Sequence, residues 1–435
     1  MTSTKFPPVI EQLSYLKRGA AEVIRDEELK SKLENAERTG KPLRVYLGVD
    51  PTAPDIHLGH TVVLRKLKHF QDMGHTAIFL IGDFSAMIGD PTGQSETRPP
   101  LTREQVDANA KTYLDQVYKI LDPKKTEVRY NSEWLGKMSS FDVVRLCGHY
   151  RLARMLERED FRSRLEKNLP ISVHELLYPL LTAYDAVALL SDVEIGATEQ
   201  KFNLLVHRDI QREFGQPSEV ALTMPILVGL DGERKMSKSL GNYVGITEAP
   251  SEMFGKLMSI SDELMWSYYE LLTDFPSPVI VRLKEEVRGG TLHPMDAKMQ
   301  LAHAIIAGFH GEDAAKKASE EFQRVFRDRL APEDVPEYRL RLLPNGNVIL
   351  SKKRGDGESP VPAVWKLGTR PRWPKLLVEL GIIDSTSEAD RLVKQGGLEI
   401  DGLRLSDVKT EVDLSSAAQF VVKAGKKKFL KIIVE

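Results

Sequence analysis

The chain has 435 residues, of which 41% are hydrophobic and 29% charged, a composition ordinary for a globular protein with roughly two to four compact units. Its single cysteine, Cys147, excludes an internal disulfide and a zinc site built from cysteines, so we expect a reducing compartment. Residues 1–13 lack the charged-then-apolar pattern of a secretory signal, and no apolar run approaches the about 20 residues that cross a bilayer. These features predict a cytoplasmic protein without a membrane partner.

The net charge of −2 excludes a chain that is covered by basic residues, so a nucleic-acid partner would have to contact local basic patches. One candidate is the segment 339–375, which has nine Lys or Arg residues against two acidic residues, and another is the lysine-rich tail at 423–431. A basic run is more often a solvated surface than a binding site, and that alternative stays open for both segments.

The first half of the chain alternates between short apolar runs and segments with helical periodicity. The apolar runs predict strands at 44–50, 77–83, 193–195 and 221–228. The helical periodicity predicts one helix that begins near 58–61 and further helices at 103–121, 141–158, 174–190 and 199–214. This alternation implies an α/β fold with a parallel sheet covered on both faces, which binds ligands beyond the carboxyl ends of its strands.

The second half of the chain changes character twice. From 248 to about 328 the pattern is almost wholly helical, whereas 332–371 holds many prolines and a polar stretch and is typical of a linker. The remaining residues predict two short helices followed by short strands and turns. We therefore divide the chain into a sheet domain at 1–245, a helical domain at 246–331, a linker at 332–371 and a small α+β domain at 372–435.

The sharpest local signal is the run His57-Leu58-Gly59-His60, which follows a predicted strand and begins a predicted helix. The amino end of a helix favours phosphate because its backbone N–H groups are unpaired and its dipole is positive there. Two imidazoles can donate hydrogen bonds to phosphate oxygens, and Gly59 allows a flat base to approach the backbone. The alternative is that both histidines only cap the helix.

The second signal is the run Lys235-Met236-Ser237-Lys238-Ser239, which we call the lysine loop; Gly232 and Gly241 flank it. Two ammonium groups on such a loop can move onto a triphosphate and stabilise charge that develops on a departing pyrophosphate. A short Lys/Ser loop alone is more often plain surface. Its position about 175 residues after His60 and behind a predicted strand makes that alternative weak.

Together the two runs resemble the signature motifs of class I aminoacyl-tRNA synthetases, and the sequence between them is similar to the tyrosyl-tRNA synthetases of bacteria. The resemblance implies a Rossmann-like catalytic domain, a homodimer, and ATP with Mg²⁺ as substrate and cofactor. It implies phosphate contacts and catalysis by Thr52, His57, His60, Lys235 and Lys238. It implies further ATP contacts by Asp50, Gly59, Glu199 and Ser239, and it assigns no metal-ligating residue.

The same resemblance implies a pocket for L-tyrosine. Tyr46 and Asp185 would bind the phenol, and an analogue without the hydroxyl would leave both groups unpaired. Asp90, Tyr178 and Gln200 would hold the ammonium group, and Arg98 aligns with an arginine that orders the nearby loop. Tyr178 and Asp185 are seven residues apart in a predicted helix, so they share one face. Ordinary core packing is the alternative for the two tyrosines.

Three positions depart from the pattern of this family. Thr182 stands where glutamine is common, Ala197 where glycine is common, and Glu199 where aspartate is common. Thr182 is shorter by about two bonds, so a water molecule could substitute for the missing reach. The departures put the affinity in doubt more than the identity of the substrate, and they leave room for a modified amino-acid preference.

The mechanism that the resemblance implies needs no serine or cysteine nucleophile. The tyrosine carboxylate attacks the α-phosphate of ATP in line, pyrophosphate leaves, and tyrosine is then transferred to the 3′ end of tRNA(Tyr). Rate acceleration comes from positioning and from donors directed at charge that develops in the transition state.

Residues 373–435 resemble a small S-four-type RNA-binding domain, in which basic side chains would contact phosphates of tRNA(Tyr). These residues are Arg391, Lys394, Lys426, Lys427 and Lys428. The helical domain would help to read the anticodon stem. Two alternatives remain: the tryptophanyl enzyme, which would not need Tyr46 with Asp185, and a non-catalytic paralogue, which should have lost a signature histidine or lysine.

Overall fold

The computed structural model describes residues 6–52, 54–90, 101–324, 337–342, 348–354, 357–359, 364–365, 370–414, 417–425 and 428–434. The chain divides into two compact units, Met1–Ser319 and Glu320–Glu435. Within the described ranges, no helix is both long enough and apolar enough to cross a bilayer.

The first unit is built around a six-stranded sheet. Its strands are β1 Glu22–Ile24, β2 Arg44–Val49, β3 Thr76–Ile81, β4 Thr126–Tyr130, β5 Val193–Ala197 and β6 Val220–Met224. Their order across the sheet is β1-β6-β5-β2-β3-β4; β1 is antiparallel to β6, and all other neighbours are parallel. The chain proceeds from β2 outwards to β4 and then returns to the other side of β2, so the crevice for a ligand lies between β2 and β5.

Helices cover this sheet, as the alternation in the sequence predicts. They are α1 Val9–Lys17, α2 Asp26–Thr39, α3 Leu58–Asp72, α4 Arg103–Val117, α5 Ser132–Leu135, α6 Ser140–Gly148, α7 Leu152–Met155, α8 Glu159–Glu166, α9 Val173–Leu189 and α10 Lys201–Glu213. The strand β6 is buried along its whole length and β3 nearly so, which is the pattern of strands covered on both faces. The parallel sheet and its covering helices are therefore confirmed.

Three details of the first unit differ from the prediction. The single helix predicted at 141–158 is wrong, because α6 ends at Gly148 and Arg151 is extended before α7 begins. The strands β1 and β4 have no counterpart in the prediction. Both are edge strands with charged residues and no fully buried position, so neither carries the apolar run by which the other strands are recognised.

The helical segment that follows the sheet belongs to the same compact unit. Its helices are α11 Pro250–Met258, α12 Leu264–Leu272, α13 Ser277–Arg288, α14 Pro294–His310 and α15 Glu312–Phe322. The Tyr268 hydroxyl donates to the Val228 carbonyl oxygen at 2.7 Å, and Arg18 donates to the Thr273 carbonyl oxygen. The helices predicted after 248 are confirmed, but they pack against the sheet region instead of forming a separate compact unit.

In the described part of the second unit, the chain forms an eight-stranded sheet and the two helices α16 and α17. Its elements are β7 Glu337–Leu342, β8 Val348–Arg354, β9 Gly357–Ser359, β10 Val364–Trp365, α16 Trp373–Glu379, α17 Thr386–Lys394, β11 Leu398–Ile400, β12 Leu403–Arg404, β13 Ala418–Ala424 and β14 Lys428–Val434. The order is β10-β8-β7-β14-β13-β11-β12, with β9 beside β8. Trp373, Leu376 and Ile432 belong to its buried core.

The segment expected to be a linker, 332–371, contributes strands β7 to β10 to this sheet, and this corrects the expectation. β7 pairs in parallel with β14, and Tyr338 and Leu340 are buried in the core of the second unit. None of the four strands contains a proline within its bounds, so the prolines that suggested a linker do not remove a donor from the pairing.

Candidate active site

A cavity of about 700 Å³ opens beside the carboxyl-terminal parts of β2, β3, β5 and β6. Every residue predicted for catalysis, ATP binding or tyrosine binding lies in its wall. These residues are Tyr46, Asp50, Thr52, His57, Gly59, His60, Asp90, Tyr178, Thr182, Asp185, Glu199, Gln200, Lys235, Lys238 and Ser239. The structure thus brings both signature runs and the expected amino-acid pocket together around one space.

The two signature runs lie close together because the backbone of the first run pairs with the backbone that follows the second. The Leu58 N–H donates to the Val244 carbonyl oxygen at 2.9 Å, and His57 and Gly245 form an isolated antiparallel bridge. The lysine loop stands a few residues before this paired backbone. These main-chain hydrogen bonds place the loop near the amino end of α3, and Asn242 adds side-chain hydrogen bonds to the Ser237 N–H and to the Lys235 carbonyl oxygen.

His57 and His60 form a reciprocal cap at the start of α3. The His57 Nδ1 accepts from the Gly59 N–H at 3.1 Å, the His60 Nδ1 accepts from the His57 N–H at 3.2 Å, and the rings stack at 3.8 Å. Burial and the neighbouring His60 and Lys238 lower the pKa of His57 to about 3, and burial with Lys238 lowers the pKa of His60 to about 4. Both rings are therefore neutral at pH 7 and carry their proton on Nε2.

The helix cap and the phosphate-donor interpretation are consequently compatible. Capping uses Nδ1 of each ring, and Nε2–H of each ring remains a donor within a wall of the cavity. Gly59 between them is required by space, because a Cβ there would lie 2.9 Å from the His57 ring and 3.6 Å from the Met236 Cβ. Any side chain at position 59 would therefore disturb the cap, whereas its contact with Met236 of the lysine loop would be an ordinary one.

The lysines of the loop each pair with a carboxylate at this end of the cavity. Lys235 Nζ lies 3.0 Å from Glu199 Oε2, and Lys238 Nζ lies 2.6 Å from Asp55 Oδ2. The two carboxylates are 40% and 55% exposed, so these ion pairs contribute little to stability and exchange readily for another anion. Asp55 is a residue of this site that the sequence did not single out.

The far end of the cavity is buried and hydrogen-bonded by the protein itself. Asp185, 4% exposed, accepts from Trp134 Nε1 at 2.7 Å and from Asn131 Nδ2 at 3.4 Å. Burial raises the pKa of Asp185 well above its usual value, and burial with the charge of Glu194 raises that of Tyr46. A desolvated carboxyl opposite a desolvated phenol is a site for a hydroxyl group that can both donate and accept.

Tyr178 shares a helix face and the cavity with Asp185, as predicted from their spacing. Its hydroxyl donates to Asp50 Oδ2 at 2.9 Å, and Ser85 Oγ donates to the other oxygen of that carboxylate at 2.6 Å. Asp50 directly follows β2, so its carboxylate links the carboxyl end of the strand to α9. Asp90 is close enough to Tyr178 for its charge to raise the pKa of the phenol.

The remaining predicted residues have local partners. The Gln200 Oε1 accepts from the Ala197 N–H at 3.0 Å, and Thr52 N donates to the Asp50 carbonyl oxygen at 2.8 Å. Ser239 Oγ lies 2.9 Å from Ser237 Oγ. Arg98 lies outside the described residues.

A buried polar cluster lies at the wall of the pocket, and we call it the inner cluster: Glu194 of β5 and His207 of α10, which line the cavity, and Glu219. Among the described residues these three offer ligand atoms that all lie within 4.8 Å of one another. His207 Nδ1 lies 2.8 Å from Glu194 Oε2, and Ser191 donates to Glu219. Burial raises the pKa of Glu194 to about 7 and lowers that of His207 to about 4.

Several site residues had no recognisable signal in the sequence. Asn131 and Trp134 follow β4, so recognition of that strand would have placed them beside the carboxyl edge of the sheet. In the sequence, Glu194 is part of a predicted strand and His207 is part of a predicted helix. No local feature distinguishes either residue from one that packs in the core.

The RNA-binding candidates lie in the second unit. Arg391 and Lys394 are exposed on α17, whose first turn is capped by Ser385 Oγ accepting from the Glu388 N–H at 3.2 Å. Lys428 begins β14 and donates to the Ile382 carbonyl oxygen at 3.2 Å. Lys426 and Lys427 lie outside the described residues.

Comparison with known proteins identifies the class to which this fold and cavity belong. Residues 38–327 match the model of the family described as tRNA synthetases class I (W and Y). In the solved structures, a tyrosyl-tRNA synthetase from Archaeoglobus fulgidus complexed with L-tyrosine is 27% identical, with a TM-score of 0.58 over 72% of this chain and 100% of that one. A truncated mitochondrial tyrosyl-tRNA synthetase of Aspergillus nidulans shares the fold, with a TM-score of 0.61, over 73% of this chain and 94% of that one, at 22% identity.

Curated relatives narrow the class further. The tyrosine–tRNA ligase of Oleidesulfovibrio alaskensis is 53% identical over 98% of this chain and 99% of its own length. That of Moorella thermoacetica is 50% identical over 98% of this chain and 96% of its own. The chain therefore belongs to the class I tRNA synthetases and, within that class, to the tyrosine–tRNA ligase family.

Proposed function

We propose that this chain is an ATP-dependent tyrosine–tRNA ligase, which activates L-tyrosine to tyrosyl-adenylate and transfers tyrosine to the 3′ end of tRNA(Tyr). The observation that carries the proposal is the convergence of the histidine pair, the lysine loop and the buried Tyr46–Asp185 end on one cavity. The family supports the same reaction, since the relatives with the same length bear the name of this ligase.

Activation follows from the charges at the open end of the cavity. The tyrosine carboxylate attacks the α-phosphorus of ATP, the bond to the bridging oxygen breaks, and pyrophosphate leaves. The neutral imidazoles of His57 and His60 donate from Nε2 to phosphate oxygens. Lys235 and Lys238 leave Glu199 and Asp55 for the pyrophosphate as its charge grows. Thr52 adds a donor beside them.

Mg²⁺ fits this arrangement as a companion of the triphosphate. Hard divalent cations prefer phosphate and carboxylate oxygens. The exposed carboxylates at the open end, Asp55 and Glu199, pair with lysines, so we assign no protein ligand to the ion. When bound to ATP it would neutralise phosphate charge.

Selection of tyrosine follows from the buried end. The substrate phenol would contact Tyr46 and Asp185, while Asp90, Tyr178 and Gln200 would surround the ammonium group. Phenylalanine lacks the hydroxyl for these two contacts, and each hydrogen bond lost from a desolvated group costs about 1–3 kcal/mol. Trp134 and Asn131 hold the Asp185 carboxyl in place for this contact.

The remaining predicted parts serve tRNA and assembly. We propose that 246–331 contacts the anticodon stem and that Arg391, Lys394 and the lysines at 426–428 of the 372–435 domain contact phosphates. We also propose a homodimer. Large apolar side chains are exposed between α6 and the start of α9, at Phe141, Val144, Leu152, Leu165, Leu169 and Val173. Exposed apolar side chains concentrated in one stretch are typical of a surface that another subunit covers.

The test is ATP–pyrophosphate exchange with each of the twenty amino acids, followed by charging of tRNA(Tyr). We expect exchange with tyrosine alone, and charging that weakens as salt rises because phosphate contacts release counterions. Exchange with tryptophan would assign the chain to the neighbouring enzyme of the class, and no exchange with any amino acid would refute the proposal. Sedimentation of the same sample measures the subunit number.

A further inference from the structure

The side chain of His207 lies in the wall of the cavity, although no sequence motif marks it. It projects from α10 and is 5% exposed. Its Nε2 lies 3.1 Å from Thr182 Oγ1, and its Nδ1 lies 2.8 Å from Glu194 Oε2 and 3.4 Å from the Tyr46 hydroxyl oxygen. One imidazole therefore contacts both the helix that carries Asp185 and the tyrosine at the phenol end.

The contact with Thr182 involves a second residue of the cavity wall, whose side chain is short. The structure shows a protein group, not open space, beyond this short side chain: the Thr182 hydroxyl donates to the Tyr178 carbonyl oxygen at 2.9 Å, and His207 Nε2 stands on its other side. A longer residue at 182 would enter the space that the imidazole fills.

The imidazole is held in place from behind as well. Burial keeps the ring neutral by lowering the pKa of His207 to about 4, so one nitrogen donates and the other accepts. Glu194 contacts Nδ1 and is itself buried, 5% exposed, close to Glu219. With hydrogen bonds on both nitrogens, the ring has one orientation, which is what a specificity pocket requires of its wall.

We propose that His207 is a specificity-determining residue of the tyrosine pocket, in which it fills one side of the wall together with Thr182. The Thr182–His207 pair forms the side wall between the ammonium end and the phenol end, and it positions the Tyr46 hydroxyl. This inference rests on the proposed function, because the ligand of the pocket is tyrosine.

The proposal predicts reciprocal compensation between two positions. His207→Ala removes the wall and should raise the KM for tyrosine about tenfold, the size of one hydrogen bond lost from a pocket, with the KM for ATP unchanged. Thr182→Gln alone should raise it similarly, since glutamine and imidazole compete for space. Thr182→Gln/His207→Ala should bring the KM back to within about threefold of the unchanged chain, a coupling that independent sites do not show.

The control is another buried histidine. His75 is 4% exposed, accepts from the Leu43 N–H at 3.2 Å, and does not line the cavity. His75→Ala should lower the melting temperature and leave the KM for tyrosine unchanged. If His207→Ala does not fold, His207→Asn replaces it: its amide can still reach Glu194 but not Thr182, so it should raise the KM for tyrosine as well.

The outcomes separate this inference from the proposed function. Absence of tyrosine-dependent exchange in the unchanged chain refutes the function itself. If that exchange is present, additive effects of the two substitutions overturn the role of His207. An unchanged KM for tyrosine in His207→Ala or His207→Asn overturns it too. Recovery in the double variant, with His75→Ala neutral for the KM, supports it.

Discussion

The two ends of the cavity are built in opposite ways. At the open end, Lys235 and Lys238 form exposed ion pairs. His57 and His60 cap α3 through their Nδ1 atoms, so their Nε2–H groups are not used by the cap. At the buried end, Asp185 is desolvated and bonded to Trp134 and Asn131, and the buried Tyr46 contacts His207, which in turn contacts Glu194. Side chains that must respond to charge developing during the reaction have ion-pair partners that exchange easily. Side chains that must recognise one hydroxyl group are held in fixed positions by buried hydrogen bonds.

The largest expected effect lies at the open end. His60→Asn keeps an acceptor near the Nδ1 position for the cap but removes the Nε2–H donor, and Lys238→Ala removes an ammonium group. Each should lower the exchange rate by about 10²- to 10³-fold, the usual cost of one donor to a transition state, while tyrosine binding stays unchanged. Exchange kinetics and equilibrium binding of tyrosine measure the two quantities. An unchanged exchange rate in both variants would show that His60 and Lys238 have no catalytic role.

The next effect lies at the buried end and should have the opposite character. Tyr46→Phe removes the hydroxyl that faces the phenol, so the KM for tyrosine should rise about tenfold and selection against phenylalanine should weaken. The maximal exchange rate should change little. If Tyr46→Phe instead lowers the maximal exchange rate and leaves both the KM for tyrosine and the selection against phenylalanine unchanged, the buried end does not serve recognition alone.

A smaller effect tests the ion pairs. Asp55→Asn releases Lys238, so the KM for ATP should fall by about two- to threefold, the scale of an exposed pair. Asp262→Asn is the matched control. The Asp262 carboxylate pairs with Lys298 Nζ at a distance of 2.6 Å, and neither residue lines the cavity. A KM for ATP that rises in Asp55→Asn would mean that Asp55 holds the loop in its working position.

The smallest effect is the pH dependence of stability, which should have opposite signs at the two ends. His57 and His60 have pKa values of about 3 and 4, below the about 6.5 of an unfolded histidine, so their contribution is present above pH 6.5 and is lost as the pH falls towards 4. Glu194 has a pKa raised from 4.5 to about 7, so its contribution is present below pH 4.5 and is lost as the pH rises through 7.

Melting temperatures between pH 4 and 8 check these signs. His60→Asn should flatten the acid side of the profile in part, because His69, His75 and His207 also have lowered pKa values. Glu194→Gln should flatten in part the loss of stability between pH 4.5 and 7, because Asp185 and Glu219 also have raised pKa values. Identical profiles for both variants and the unchanged chain would contradict the contrast between the two ends.

Much of the fold was predictable because it rests on local patterns. The apolar runs of β2, β3, β5 and β6 and the periodicity of α3, α9 and α10 carry their own signal, and the signature runs are contiguous in sequence. The strands β1 and β4 were missed because edge strands need no apolar run, and β7 to β10 because prolines between strands resemble a linker. Asn131 and Trp134 were missed with β4, since their position depends on recognising that strand.

The sequence by itself determined the family, the α/β class, the strands β2, β3, β5 and β6, and the two signature runs, because each depends on contiguous motifs or on short-range periodicity. Only the tertiary structure decided that Lys235 and Lys238 pair with Glu199 and Asp55, that Tyr178 bonds Asp50, and that His207 meets Thr182. These contacts join residues from separate elements. Such pairings follow from the packing of elements against one another, which no local pattern encodes.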